Sequence, residues 1–160
     1  MMQPPVMAAL DYQQPPPGLF VYRTRPHFYE IDALWVLHHS RYLQFVERAQ
    51  QALFDELMGA KDFSPEKYPD LYVVVSRVEI DYLAPLRGVA PFLIALRGVK
   101  IREAALTIGF EFRSEDGALL HARGERTVCK LGLQTHQPAG WTTEFRAKYE
   151  PWVAAGAGFG

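Results

Sequence analysis

Tyr29-Glu30-Ile31-Asp32-Ala33-Leu34-Trp35-Val36-Leu37-His38-His39-Ser40-Arg41-Tyr42 is the stretch on which the reading of this chain turns. It leads from a strand-like segment into the longest helical pattern in the sequence. It also sets a loop carboxylate, Asp32, seven residues before His39. The first amides of a helix have no partner inside it and carry a partial positive charge. Such an end can receive an oxygen that becomes negative during acyl transfer. A carboxylate facing it can attack the carbonyl or draw a proton from an attacking water. The same Asp also reads as a cap or turn residue, which is the commoner use of an aspartate before a helix.

Downstream, Tyr42, Phe45, Val46, Ala49, Leu53 and Leu57 recur every three or four residues, with Arg41, Gln44, Arg48, Gln51 and Asp55 between them. This predicts an amphipathic helix over residues 40–58, about 28 Å long at 1.5 Å per residue. Gly59 suits its C-terminal stop. Upstream, residues 19–29 are rich in Phe, Val, Tyr and Thr and read as a strand, with Pro26 placing it at an edge or a bend.

The rest reads as β. Residues 71–83 alternate, and Pro85 and Gly88 close that strand. Residues 92–101 supply the next strand. Ala104, Leu106, Ile108, Phe110 and Phe112 then alternate with Ala105, Thr107, Gly109, Glu111 and Arg113, the clearest period of two in the chain. The Asp116-Gly117 turn signal returns the chain into residues 119–131. A short helix over 142–152, capped by Thr142 or Thr143 and stopped near Pro151, completes the pattern. The fold class is therefore α+β, with one long helix packed on a five-stranded antiparallel sheet. One helix cannot cover such a sheet completely, so an edge or a face is expected to meet a second copy of the chain.

Residues 1–18 hold five of the twelve prolines and are expected to form a flexible leader. A single domain over 19–153 and a flexible glycine-rich tail over 154–160 follow. Seventeen basic and eighteen acidic residues, with no block of like charge, argue against nucleic acid as the partner. No apolar window is long enough for a membrane span. A lone Cys129 excludes an intrachain disulfide and fits a reducing, cytoplasmic setting. His38 and His39 point in different directions at a helix start and have no further ligand at metal spacing, so no metal is expected.

The frame from Tyr29 through Asp32, Val36-Leu37-His38-His39-Ser40-Arg41-Tyr42-Leu43 and Phe45-Val46-Glu47-Arg48-Ala49 resembles the signature of the 4-hydroxybenzoyl-CoA thioesterase-like branch of the hotdog-fold acyl-CoA thioesterases. Glu79-Ile80-Asp81-Tyr82-Leu83-Ala84-Pro85 is similar to that family's strand ending in Tyr, any residue, Ala, Pro. The resemblance implies a helix wrapped by a curved five-stranded antiparallel sheet. It also implies homodimers, in some members paired into homotetramers, with the thioester bound at the subunit interface.

Carried over, Asp32 matches the catalytic aspartate. His39 falls where a backbone amide polarises the thioester carbonyl, and its imidazole matches a histidine that some members carry. Leu34, Trp35, His38, Tyr42 and Glu47 are the expected substrate contacts, Glu47 as a structural or water-positioning acid. Related sequences usually place glycine in the pair occupied here by Leu34-Trp35, so a large ring stands beside the carboxylate. The expected activity is hydrolysis of an acyl-CoA or acyl carrier thioester, with CoA entering as part of the substrate and no separate cofactor. The alternative is a non-catalytic acyl-thioester binding protein of the same fold.

Overall fold

In the computed structural model, which describes residues 10–159, the elements follow the expected order. Strand β1 spans Leu19–Thr24, helix α1 Tyr42–Met58, β2 Val73–Tyr82, β3 Phe92–Ile101, β4 Ala105–Ser114, β5 Leu120–Lys130 and helix α2 Thr143–Gly156. All strand pairs are antiparallel and the sheet order is β1-β3-β4-β5-β2. This is the hotdog arrangement of one long helix against a five-stranded sheet.

The apolar stripe of α1 makes the core. Phe45, Val46, Ala49 and Leu53 are buried against Phe92, Ile94 and Leu96 of β3 and Ile108, Phe110 and Phe112 of β4. Phe45 meets Phe92 edge-on at 5.2 Å. Gly59 ends α1 with φ of 64°, and its amide bonds Asp55 O at 2.9 Å. At that φ a Cβ is strained, which is why glycine holds the position.

Some boundaries differ from expectation. The first strand stops at Thr24, because Pro26 has no amide to give the ladder, and the chain turns through a short 3₁₀ segment at Phe28–Glu30. Helix α1 begins at Tyr42, two residues late, since His39–Arg41 form a 3₁₀ turn ahead of it.

Helix α2 does not stop at Pro151. It runs on to Gly156, taking in residues assigned to the tail. An interior proline costs about 3 kcal/mol, and the buried row Phe145, Tyr149, Trp152 and Val153 offsets it by docking on the sheet. The docking is close: a Cβ on Gly98 would lie 2.5 Å from Val153 Cγ2.

The expected leader falls outside the described residues through residue 9. From there it lies on the sheet: the Tyr12 hydroxyl donates to Glu111 at 3.4 Å, and the Arg113 guanidinium sits 4.9 Å from the Tyr12 ring. Among the described residues no helix is long and apolar enough to cross a membrane.

Candidate active site

The loop carrying Asp32 is a small hairpin. Ile31 bridges Leu37, the Asp32 amide bonds Val36 O at 2.9 Å, and the His38 amide bonds Glu30 O at 3.1 Å. Outside this hairpin runs the segment after the Tyr82-Leu83-Ala84-Pro85 motif. Leu37 N bonds Leu86 O at 2.8 Å, Val36 bridges Arg87, and Gly88 N bonds Trp35 O at 2.9 Å. That segment is tied to β5 in turn, because the Leu83 and Ala84 amides bond His121 O and the His121 ring Nδ1 bonds Ala84 O at 3.2 Å. His121 is thus a satisfied structural histidine.

The Asp32 carboxylate is used unevenly. Oδ1 accepts the Leu34 amide at 2.8 Å and, more weakly, the Val36 amide at 3.4 Å. Among the described residues no protein donor reaches Oδ2. The side chain therefore caps its own turn with one oxygen and leaves the other unbound.

At the helix entrance, His38 Nδ1 accepts the Ser40 amide at 3.3 Å and lies 2.8 Å from Ser40 Oγ. A ring nitrogen that accepts an amide hydrogen leaves the ring's own hydrogen on Nε2. His38 is therefore a capping residue. The His39 amide, the first of the 3₁₀ turn, has no partner among the described residues, and residue 39 is exposed. The His39 carbonyl, by contrast, is held by the Tyr82 hydroxyl at 3.1 Å. Tyr82 thus holds the His39–Ser40 peptide, next in the chain to the free His39 amide, a role that the Tyr-Leu-Ala-Pro motif carried but sequence reasoning did not assign.

The remaining expected contacts separate. Trp35 adopts φ of 61°, the left-handed region that glycine favours, so the substitution in this chain falls where the backbone needs it least. Its ring leans edge-on against Phe28 at 5.7 Å and over Gly88, and remains 53% exposed. Leu34 is exposed beside it.

Tyr42 was expected to meet substrate and instead belongs to the core. It is 3% exposed, packed at 5.0 Å from Tyr82 and 4.9 Å from Phe112, and burial raises its hydroxyl pKa. Glu47 does not join Asp32 within the chain. It sits on the flank of α1 that faces β5, 3.9 Å from Arg126.

Glu30 was missed. Its side chain is almost wholly buried, accepts the His27 amide at 2.7 Å and faces Arg48 at 3.4 Å, anchoring the hairpin to α1. The His27-to-Glu30 spacing is that of a capping box, the one signal that could have found it.

Among the described residues no three His, Cys, Asp or Glu side chains gather where a metal ion would sit. Among the basic residues of the sheet, Arg77 pairs with Glu79 and Arg113 with Glu111, while Lys100 and Arg102 stay exposed at the β3–β4 turn.

A family model described as the thioesterase-like superfamily matches residues 26–149. An Aquifex aeolicus protein named "Putative esterase" is 30% identical over 115 residues, 71% of this chain and 87% of that protein. Among solved structures, a 1,4-dihydroxy-2-naphthoyl-CoA thioesterase from Synechocystis superposes with a TM-score of 0.70 at 16% identity, covering 86% of this chain and 96% of that one. A Staphylococcus aureus protein in complex with CoA superposes at 0.75 with 14% identity, covering 87% and 86%.

Proposed function

Because the chain belongs to the thioesterase-like superfamily, we propose that it cleaves the thioester of an acyl-CoA, with Asp32 acting on the carbonyl carbon and the His39 amide on the carbonyl oxygen. The observation that carries the reading is that Asp32 keeps Oδ2 without a protein donor, on a hairpin that runs directly into the helix entrance, where the His39 amide has no partner among the described residues. The amide and the helix end behind it favour the oxyanion of a tetrahedral intermediate more than the neutral carbonyl, which is the condition for lowering a barrier. Oδ2 can form an acyl anhydride directly or take the proton of an attacking water. In both routes the coenzyme A sulfur leaves as the C–S bond breaks. CoA as the carrier is supported by the likeness to the CoA complex and to the naphthoyl-CoA enzyme.

The free edge supports a homodimer. Strand β2 pairs on one side only, and Val74, Val75 and Tyr82 on it are exposed. Such an edge templates pairing with a second chain, and β2-to-β2 pairing would bring a partner beside the Asp32 hairpin. Light scattering of the purified chain at twice the monomer mass is the expected result.

The test of the chemistry is thiol release from short, long and aromatic acyl-CoA esters by the natural chain and by Asp32→Asn. Loss of several orders of magnitude in kcat with the fold intact is expected, and unchanged hydrolysis defeats the assignment. The exposed Leu34-Trp35 pair favours a second reading, a binding protein of the same fold. That reading requires acyl-CoA to raise the melting temperature with no thiol released.

A further inference from the structure

Along the middle of α1, residues of the helix, β4, β5 and α2 line an open cavity of about 250 Å³, with Glu47 and Phe63 among its exposed lining residues. An apolar cavity of about 150 Å³ already accepts benzene, so this space takes a substituted ring. One wall is a tower of rings, with Trp141 stacked on Phe145 at 4.3 Å and Phe145 on Tyr149 at 3.9 Å; Phe54 adjoins it, tilted against Phe145 at 6.4 Å.

Into this mainly apolar space comes a buried cation. Arg126, on β5, is 9% exposed and lines the cavity. A guanidinium has five donors. Here one nitrogen, Nη1, donates to Gln50 Oε1 at 2.6 Å, and the nearest acid, Glu47 Oε1, stands 3.9 Å from Nη2, beyond hydrogen-bond reach. Glu47 is largely in solvent and is not locked to its partner. Burial also lowers the Arg126 pKa, the mark of a charge short of compensation.

The other acid on the cavity wall, Asp70, is already used. Oδ1 accepts from Lys130 Nζ at 3.0 Å and the Thr142 amide at 2.9 Å, and Oδ2 accepts the Thr142 hydroxyl at 2.6 Å. Lys130, the second cation near this wall, is spent on Asp70 and Gly140 O. Tyr149 stays protonated because burial raises its pKa, so it adds no competing charge. Arg126 is therefore the group left with donors to give.

We propose that this cavity binds a compact aromatic carboxylate, its ring against the Trp141–Phe145–Tyr149 wall and its carboxylate on Arg126 in place of Glu47. Planar two-oxygen recognition suits a guanidinium, and the ring wall supplies the apolar contact. Asp32 is not among the residues that line this cavity, so binding there does not require thioester cleavage.

Titration calorimetry of the full chain with 2-naphthoate and with 2-naphthamide tests this. The acid should bind one per chain and the amide at least about tenfold more weakly, the loss expected when a charge-assisted pair is replaced by a neutral one. Arg126→Gln should remove that preference. Glu47→Gln, on the exposed flank of α1, should tighten naphthoate by several-fold by removing the competing carboxylate, and it decides the matter alone if the Arg126 variant does not fold. Asp32→Asn should leave the affinity unchanged, so a failed thioesterase assay and a failed binding assay remain distinct results. No binding, equal binding of acid and amide, weaker binding by Glu47→Gln, or dependence on Asp32 would each overturn the proposal.

Discussion

Replacing Glu30 by alanine removes the support under the Asp32 hairpin. The buried carboxylate accepts the His27 amide at 2.7 Å, and a charge-assisted bond of that kind is worth about 1.5–3 kcal/mol. The Arg48 pair is long, at 3.4 Å, and its cation is well exposed, so it adds no more than about 1 kcal/mol after solvent screening. Glu30→Ala should therefore cost about 2–4 kcal/mol, and Glu30→Gln, which keeps a neutral acceptor for His27, about 1 kcal/mol.

The damage should concentrate in the loop, because the same residue's carbonyl accepts the His38 amide one step from His39. A shift of about 1 Å in a reacting group can cost about a hundredfold in rate. Urea unfolding with an unchanged m value should report the stability loss. Thiol release measured well below the unfolding midpoint should show kcat falling more than KM rises in the alanine variant and largely recovered in the glutamine one. A Glu30→Ala protein within about 0.5 kcal/mol of the parent, the range of an inert surface change, would refute the reasoning. So would a destabilised protein with full kcat.

At Trp35, φ of 61° means that Trp35→Gly relieves backbone strain that Trp35→Ala keeps, so the glycine variant should be the more stable of the two by about 1 kcal/mol in thermal unfolding. Asp70→Ala strands the buried Lys130 ammonium with Gly140 O alone and should cost about 3–5 kcal/mol, while the double change Asp70→Leu, Lys130→Met should recover part of it in the same urea assay. Gly98→Ala forces a Cβ into the Val153 side chain and backbone and should cost about 1–3 kcal/mol by displacing α2, seen as altered near-ultraviolet dichroism from Trp141 and Trp152.

Much of the architecture could be read locally. The alternation through Leu106, Ile108, Phe110 and Phe112 and the three-to-four spacing through Phe45, Ala49 and Leu53 put those side chains on the faces where they are buried. What escaped was set by distant contacts. Nothing near Pro151 in the sequence announces that Gly98, some fifty positions earlier, leaves room for α2 to continue past it. Likewise Tyr12 is fixed by Glu111 and Arg113 across the sheet, so the proline content of its own segment was a poor guide to its placement.

Within the proposed site, Asp32 and His39 rest on order and spacing in the sequence. The same periodicity that defined α1 already placed Tyr42 on its buried stripe, against its assignment as a substrate contact. Glu30 was hidden by its neighbour's more obvious chemistry.

Cap and catalyst compete as readings of Asp32 in the sequence, and a cap that uses Oδ1 alone is compatible with the proposed chemistry at Oδ2. Oδ1 accepts the Leu34 and Val36 amides, and among the described residues Oδ2 has no protein donor. Asparagine keeps an Oδ1 acceptor and puts an uncharged amide nitrogen where Oδ2 was, whereas alanine removes both. If the division holds, Asp32→Asn should unfold at the parent's midpoint and lose turnover. Asp32→Ala should also lose about 1 kcal/mol with the turn, the usual cost of deleting such a cap. Equal destabilisation by the two changes would mean that the charge itself holds the loop, and that Oδ2 is engaged rather than free.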